Sequence, residues 1–242
     1  MVAECWSDAD LAAANAELEG QPPEHVLRWA VRHFHPRLTM ATAFGAEGCC
    51  ILHMLAGIEP AVRVFNLDTG YQFPETLDLR ERIKDRYGIE VEYVRPAESV
   101  ADYEARHSGP LYVYQPDQCC HDRKIVPLRR ALVGYDAWVS AIRRDQTEHR
   151  AAAGVVEWDG KFQLYKVNPL LTWTRRDVWA FVHRHDVPYN PLHDRNYPSI
   201  GCRPCTRAVV PGEDERAGRW SGTAKKECGL HVIPDQEQGS GI

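Results

Sequence analysis

Six of the eight cysteines come as close pairs: Cys49-Cys50, Cys119-Cys120 and the C-x-x-C of Cys202 and Cys205. Cys5 and Cys228 stand alone. In SIGCRPCTR the C-x-x-C is flanked by Gly and contains Pro, so it belongs in a loop where both sulfurs can converge on a metal centre or form a redox dithiol. A thioredoxin-type motif needs a strand before it and a helix after it, and neither is legible here. Zinc and iron–sulfur sites want four ligands, so a metal reading needs two further thiolates. Cys119-Cys120 is the natural donor, because PDQCCHDRK has no apolar helical stripe and its basic residues, Arg123 and Lys124, favour thiolates. Adjacent residues on a regular helix diverge by about 100°. The pair can therefore share a centre only at a kink or a helix end, which Gln115-Pro116-Asp117 supplies. Zinc and a cubane iron–sulfur cluster both fit this chemistry.

The other cysteines read differently. Cys49 and Cys50 sit in an apolar helical pattern with Ile51, Leu52, Met54 and Leu55, where cysteine packs as a small hydrophobe. Cys5 lies near the N-terminus with no chemical context. Cys228, in KKECGLH, is surrounded by Lys225, Lys226 and His231; cationic neighbours lower a thiol pKa and favour the nucleophilic thiolate. Upstream, GEDERAGRW carries Arg216 and Arg219, which can clamp an oxyanion. A thiolate and two arginines on one arm suggest a lid that carries a nucleophile to an anionic ligand.

The elements that must position these groups alternate between strand and helix periods. Helices are expected over PPEHVLRWAVRHF, AEGCCILHMLAGI, PETLDLRERIKDRYG and TRRDVWAFVHRHDV, the last capped by Thr174. Strands are expected over RLTMATAF, AVRVFNLD, IEVEYV and DAWVSAI, with a hairpin in VVEWDGKFQLYKV around Asp159-Gly160. Such alternation predicts an α/β fold with a mostly parallel sheet flanked by helices. Sites in such sheets lie beyond the carboxyl ends of strands. The loop ATAFGAEG follows the first strand and NLDTGYQFPE the second, and both suit nucleotide phosphates held by backbone N–H groups at a helix start. Beyond about residue 188 periodicity fades. The chain reads as one α/β domain over residues 1–205, including the four-cysteine site, and a mobile C-terminal segment over 206–242.

Composition narrows the function classes. The 242 residues carry a formal net charge of −5, with no long basic stripe of the kind nucleic acid demands. No apolar run reaches the roughly 18 residues of a membrane helix. The start, MVAECWSDADL, lacks a basic region followed by an apolar stretch, so no secretory signal is expected and the cytoplasm is the default location. Eight cysteines in a reducing compartment are not a disulfide framework.

Together TAFGAEG, NLDTGYQFPET, CCHDRK, AIRRDQ, CRPCTR, GEDERAGRW and ECGLH resemble, in that order over residues 39 to 231, the iron–sulfur branch of the APS/PAPS reductase family. The resemblance implies an adenine-nucleotide alpha-hydrolase-like fold. It implies a [4Fe-4S] cluster on Cys119, Cys120, Cys202 and Cys205. Cys228 would attack the sulfur of adenosine 5′-phosphosulfate (APS), expelling AMP and leaving an S-sulfocysteine that a separate thioredoxin reduces to sulfite, in sulfate assimilation. Lys124, Arg216, Arg219 and His231 match positions that bind the phosphosulfate, with Arg143 and Arg144 lining the same site. Thr42, Phe44, Gly45, Asp68 and Thr69 fall in the two nucleotide loops. The first loop departs from the family's S-x-S-F-G-A-E-D: Thr42 stands in for a serine hydroxyl, while Ala43 and Gly48 cannot make side-chain contacts. Self-association is left open.

Three other readings compete. A PAPS or dual-specificity reductase differs in the 3′-phosphate of its substrate, and CC…CxxC favours APS. A tRNA-thiolating relative would want S-G-G-x-D-S and a basic region, where this chain has FGAEG and net acidity. A zinc-stabilised binding module would be colourless and indifferent to Cys228→Ser.

Overall fold

The computed structural model describes residues 6–223, 225, 227, 229 and 230. Helices α1 (Asp8–Leu18) and α2 (Pro23–Phe34) precede a series of βα units: β1 (Leu38–Ala41), α3 (Ala46–Ile58), β2 (Arg63–Leu67), α4 (Pro74–Tyr87) and β3 (Val91–Val94). Then come α5 (Val100–Arg106), α6 (Pro116–Cys120), a π-helical turn over His121–Ile125, α7 (Val126–Ala131) and β4 (Ala137–Val139). A 3₁₀ turn (Arg144–Gln146) and α8 (Glu148–Ala151) lead to the β5 (Val156–Asp159) and β6 (Leu164–Val167) hairpin and to α9 (Arg175–His185). Two further 3₁₀ turns, Pro191–Arg195 and Arg203–Cys205, lie in the irregular region beyond residue 188.

The sheet runs β3-β2-β1-β4-β6-β5, parallel throughout except that β5 pairs antiparallel with β6. This is the expected α/β architecture with a mostly parallel sheet flanked by helices. The strand order reverses between β1 and β4, so the crevice outside their carboxyl ends is where a ligand belongs.

Local signals behave as elementary chemistry requires. Pro74 opens α4 and Gly88, at φ 68°, closes it in the left-handed conformation. The Thr174 hydroxyl accepts from the Asp177 N–H while the Asp177 carboxylate accepts from Thr174, a reciprocal cap on α9. Cys49 and Cys50 are fully buried in the main core beside Ile51, Leu52 and Leu55. Burial pushes the Cys49 thiol up to about 12, so it is inert packing. Among the described residues no helix is long and apolar enough to cross a membrane.

Candidate functional site

Beyond the carboxyl ends of β1, β2 and β4 lies a cavity of about 240 Å³. One end is built from the two expected loops. β1 stops at Ala41, and the chain turns through Phe44, at φ 55°, into α3, whose N-cap is Gly45. The Phe44 side chain is buried in the core and does not line the cavity, so Phe44 anchors the loop. Its N–H donates to Thr42 Oγ1 at 3.0 Å, which engages the hydroxyl expected to replace a serine. A Cβ at Gly48 would meet that same oxygen at 2.8 Å. The departure at residue 48 thus follows from the threonine at 42: the hydroxyl occupies the space a side chain would need. Asn66, fully buried, donates to Thr42 O at 2.8 Å and accepts from Gln72 Nε2 at 2.8 Å, locking the first loop to the second.

The other end is cationic. Lys124, Arg143, Arg150, Arg216 and Arg219 line the cavity together with three carboxylates, Glu47, Glu215 and Glu227, leaving a surplus of two positive charges. Arg143 is buried and held by Glu47 at 3.0 Å, Asp145 at 2.5 Å and Glu215 at 3.9 Å. Arg219 lies 4.3 Å over the Trp220 ring, and its buried Nε has no hydrogen-bond partner among the described residues. A Cβ at Gly201 would run into its guanidinium at 2.2 Å, so the glycine of SIGC is the space Arg219 fills.

Two more expected site residues lie outside the lining. Arg144 turns outward, donating to Glu19 of α1 at 2.5 and 3.0 Å and to the Ala153 carbonyl at 3.0 Å; it does not line the cavity. Successive residues in an extended stretch point to opposite sides, and Arg143, with φ −126° and ψ 147°, takes the inner one. Asp68 also stays out of the lining: it accepts from Gly70 N at 3.0 Å and Arg95 Nε at 2.8 Å, a turn-forming role.

Cys119, Cys120, Cys202 and Cys205 line one small adjoining cavity. The vicinal pair closes α6 where the helix widens into the π turn, in which the Val126 N–H reaches back to His121 O. Pro127 is the cause, since it has no N–H to offer Arg123 and its ring would clash with that carbonyl in a regular helix. The C-x-x-C loop is tied in by Arg203 N–H to Tyr71 O at 2.7 Å and by Trp220 N–H to Cys205 O at 3.0 Å. Thr69 Oγ1 lies 3.2 Å from Cys202 Sγ. Buried Arg123 donates to Thr69 O at 2.7 Å and stacks on Tyr103 and Tyr71, so of the two basic residues after CCHD it is the structural one. Burial, with the neighbouring thiols adding to it, pushes Cys119 up to about 12 and Cys205 up to about 11. Among the described residues no three His, Cys, Asp or Glu side chains are arranged to hold a single metal ion. Four soft donors around one small space nonetheless match a thiolate-bound iron–sulfur group in kind and number.

Lys124, Thr69, Cys202 and Trp220 line both cavities and form the wall between them. Cys228 and His231 lie outside the described residues. Glu227 is buried, with Arg150 at 3.0 Å and Arg216 at 3.3 Å; burial opposes its charge, but the two arginines outweigh it and hold the carboxyl below its usual range. Arg150, Glu227 and His193 are cavity residues absent from the sequence reading. No periodicity marks them: Arg150 sits in the four-residue helix α8, His193 in a 3₁₀ turn and Glu227 in an irregular segment. His193, from the Pro191–Arg195 turn, has both ring nitrogens buried without a hydrogen-bond partner among the described residues, and burial holds its pKa below the usual value.

The family profile described as the phosphoadenosine phosphosulfate reductase domain matches residues 37–208. The chain is 42% identical to the adenosine 5′-phosphosulfate reductase of Salinibacter ruber, over 97% of this chain and 94% of that protein. It is 47% identical to the phosphoadenosine 5′-phosphosulfate reductase of Gloeobacter violaceus, over 88% and 90% respectively. Among solved structures, the phosphoadenylyl-sulfate reductase of Candida auris in its phosphate complex superposes with TM-score 0.75 at 31% identity, covering 85% of this chain and 98% of that one. FMN adenylyltransferase of Candida glabrata, at TM-score 0.55 and 16% identity, shares the fold. The chain belongs to the phosphoadenosine phosphosulfate reductase family.

Proposed function

We propose that this protein reduces APS to sulfite and AMP with electrons from a separate thioredoxin, in the cytoplasm, as a step of sulfate assimilation. The observation that carries the reading is the shared wall: one nucleotide-sized cavity ends in a cationic pocket whose Lys124 also lines the four-cysteine cavity. Relatives across nearly the full chain that carry the name adenosine 5′-phosphosulfate reductase support it. APS bears one negative charge on its phosphate and one on its sulfate, equal to the cationic surplus of the described lining residues. The 3′-phosphate of PAPS would add charge that this surplus does not match. The reductase from Gloeobacter violaceus carries the PAPS name, so kcat/KM for the two nucleotides is the comparison that separates the readings.

The backbone at Ala43 and Gly45 and the start of α3 would hold the α-phosphate, and Lys124, Arg216 and Arg219 would neutralise the charge that grows on the phosphate as it leaves. The Cys228 thiolate attacks the sulfur, the bond from sulfur to the phosphate oxygen breaks, and AMP departs with the electron pair. A thioredoxin thiolate then attacks Cys228 Sγ, sulfite leaves with the S–S electrons, and the second thioredoxin thiol resolves the mixed disulfide. The segment 206–242 would act as the arm that carries Cys228 between substrate and reductant. Cys119, Cys120, Cys202 and Cys205 would hold a [4Fe-4S] cluster, which would supply a fixed electrostatic anchor behind Lys124 and Thr69. The test is trapping with isotopically labelled APS and no thioredoxin. A sulfonate adduct on Cys228 by mass spectrometry is the expected result; its absence in wild type, or its persistence in Cys228→Ser, overturns the mechanism.

A further inference from the structure

A buried carboxylate is out of place at the end of a cavity built for an anion. The Glu227 side chain is only 4% exposed and lines the same cavity as Lys124 and Arg219. Placed there, its charge repels an incoming phosphosulfate and occupies guanidinium groups that could otherwise bind it. Its contacts are specific. Arg150 Nη2 is at 3.0 Å, Arg216 Nη2 at 3.3 Å, and Thr147 Oγ1 donates at 3.3 Å. The chain on either side is tied as well, with Lys225 paired to Asp117 and the Gly229 carbonyl accepting from Lys161 Nζ at 2.9 Å. One peptide bond separates Glu227 from Cys228, and consecutive Cα atoms are about 3.8 Å apart. Whatever fixes Glu227 therefore restricts where the thiol can go.

Resting on the reductase reading above, we propose that Glu227 is a positioning residue. Its carboxylate, paired with Arg150 and Arg216, fixes the chain one residue before Cys228 at the cavity, at the cost of affinity for the anionic nucleotide. The arrangement follows the rule that catalysis improves when binding interactions favour the transition state over the ground state. A guanidinium shared with Glu227 binds substrate more weakly, and the anchored arm spares the thiolate a search for its target. A residue with only a structural role behaves differently: its loss weakens binding and turnover together.

The experiment compares wild type, Glu227→Gln and Glu227→Asp, purified anaerobically. Two quantities are read: the AMP dissociation constant by calorimetry, and the single-turnover rate of Cys228 sulfonation by APS without thioredoxin. For Glu227→Gln the expected result is AMP binding about tenfold tighter, because one opposing charge is gone, with sulfonation at least about tenfold slower. Glu227→Asp keeps the charge but loses reach, so AMP affinity should stay within about twofold of wild type while sulfonation slows. AMP affinity unchanged or weakened in Glu227→Gln overturns the proposal, and so does an unchanged sulfonation rate. If Glu227→Gln does not fold, Glu227→Asp decides: a rate loss without an affinity loss supports it, and parallel losses overturn it. A wild type that forms no adduct sinks the reductase reading, while the AMP comparison still judges the charge of Glu227.

Discussion

Lys124 illustrates how much a single side chain can depend on its two neighbourhoods. It follows the vicinal cysteines by four residues and lines both the nucleotide cavity and the four-cysteine cavity. Donors aimed at a departing phosphate are worth about 10²–10³ in kcat, so on the reductase reading proposed above Lys124→Ala should lose turnover on that scale while iron content, read by visible absorbance, stays at the wild-type level. Unchanged kcat with intact iron would refute the role. His193 makes a different kind of prediction. Burial holds its pKa below the ordinary value of 6.5, so the folded protein resists a proton that the unfolded chain accepts. Its stability contribution is complete above pH 6.5 and is lost as pH falls below that value toward the depressed one. Denaturant melts between pH 7.5 and 5 should show wild type losing stability on the acid side, and His193→Gln should flatten that slope.

At the scale of elements, the π turn after Cys119-Cys120 sets the rotation between the vicinal pair at the end of α6 and Lys124 within the turn. Pro127 produces it by withholding an N–H from Arg123 and by crowding its carbonyl. Pro127→Ala restores the donor, so the segment should relax toward a regular helix and rotate Lys124 relative to the cysteine pair upstream. On the reductase reading proposed above, turnover is expected to fall with far-UV circular dichroism unchanged; wild-type kcat in the variant would show that the turn is incidental. The two loops at the strand ends work as a unit for a similar reason. Buried Asn66 and Gln72 bond loop to loop, so neither can be re-shaped alone.

For the whole molecule, the reversal of strand order between β1 and β4 sets the crevice, and the irregular chain beyond residue 188 covers it. Arg144 belongs to the scaffold side of that division. It joins the loop after β4 to α1 through Glu19 and to the Ala153 carbonyl. Loss of a half-exposed ion pair and one backbone hydrogen bond costs roughly 1 kcal/mol. Arg144→Ala should therefore lower the Tm by a few degrees and leave the KM for APS unchanged, whereas a raised KM would return Arg144 to the binding site.

The amino-acid sequence by itself determined the parts that follow from local rules. Alternating periods specified the parallel α/β sheet, glycine and proline placed the helix ends, and the contrast between EGCCIL and QCCHDRK separated packing thiols from the pair that lines a cavity. Lys124, Arg143, Arg216 and Arg219 stood out through the ordered motifs CCHDRK, AIRRDQ and GEDERAGRW, and the fold brings all four to one cavity. Tertiary structure alone decided between Arg143 and Arg144, since a one-residue step in an extended segment reverses the side that a side chain faces. It also decided that Phe44 and Asp68 serve the scaffold, and that Thr42 accounts for Gly48. Arg150, His193 and Glu227 came only from the fold, because each is brought to the cavity by contacts far along the chain: 77 residues separate Arg150 from Glu227. A buried ion pair between such distant segments leaves no spacing pattern to read.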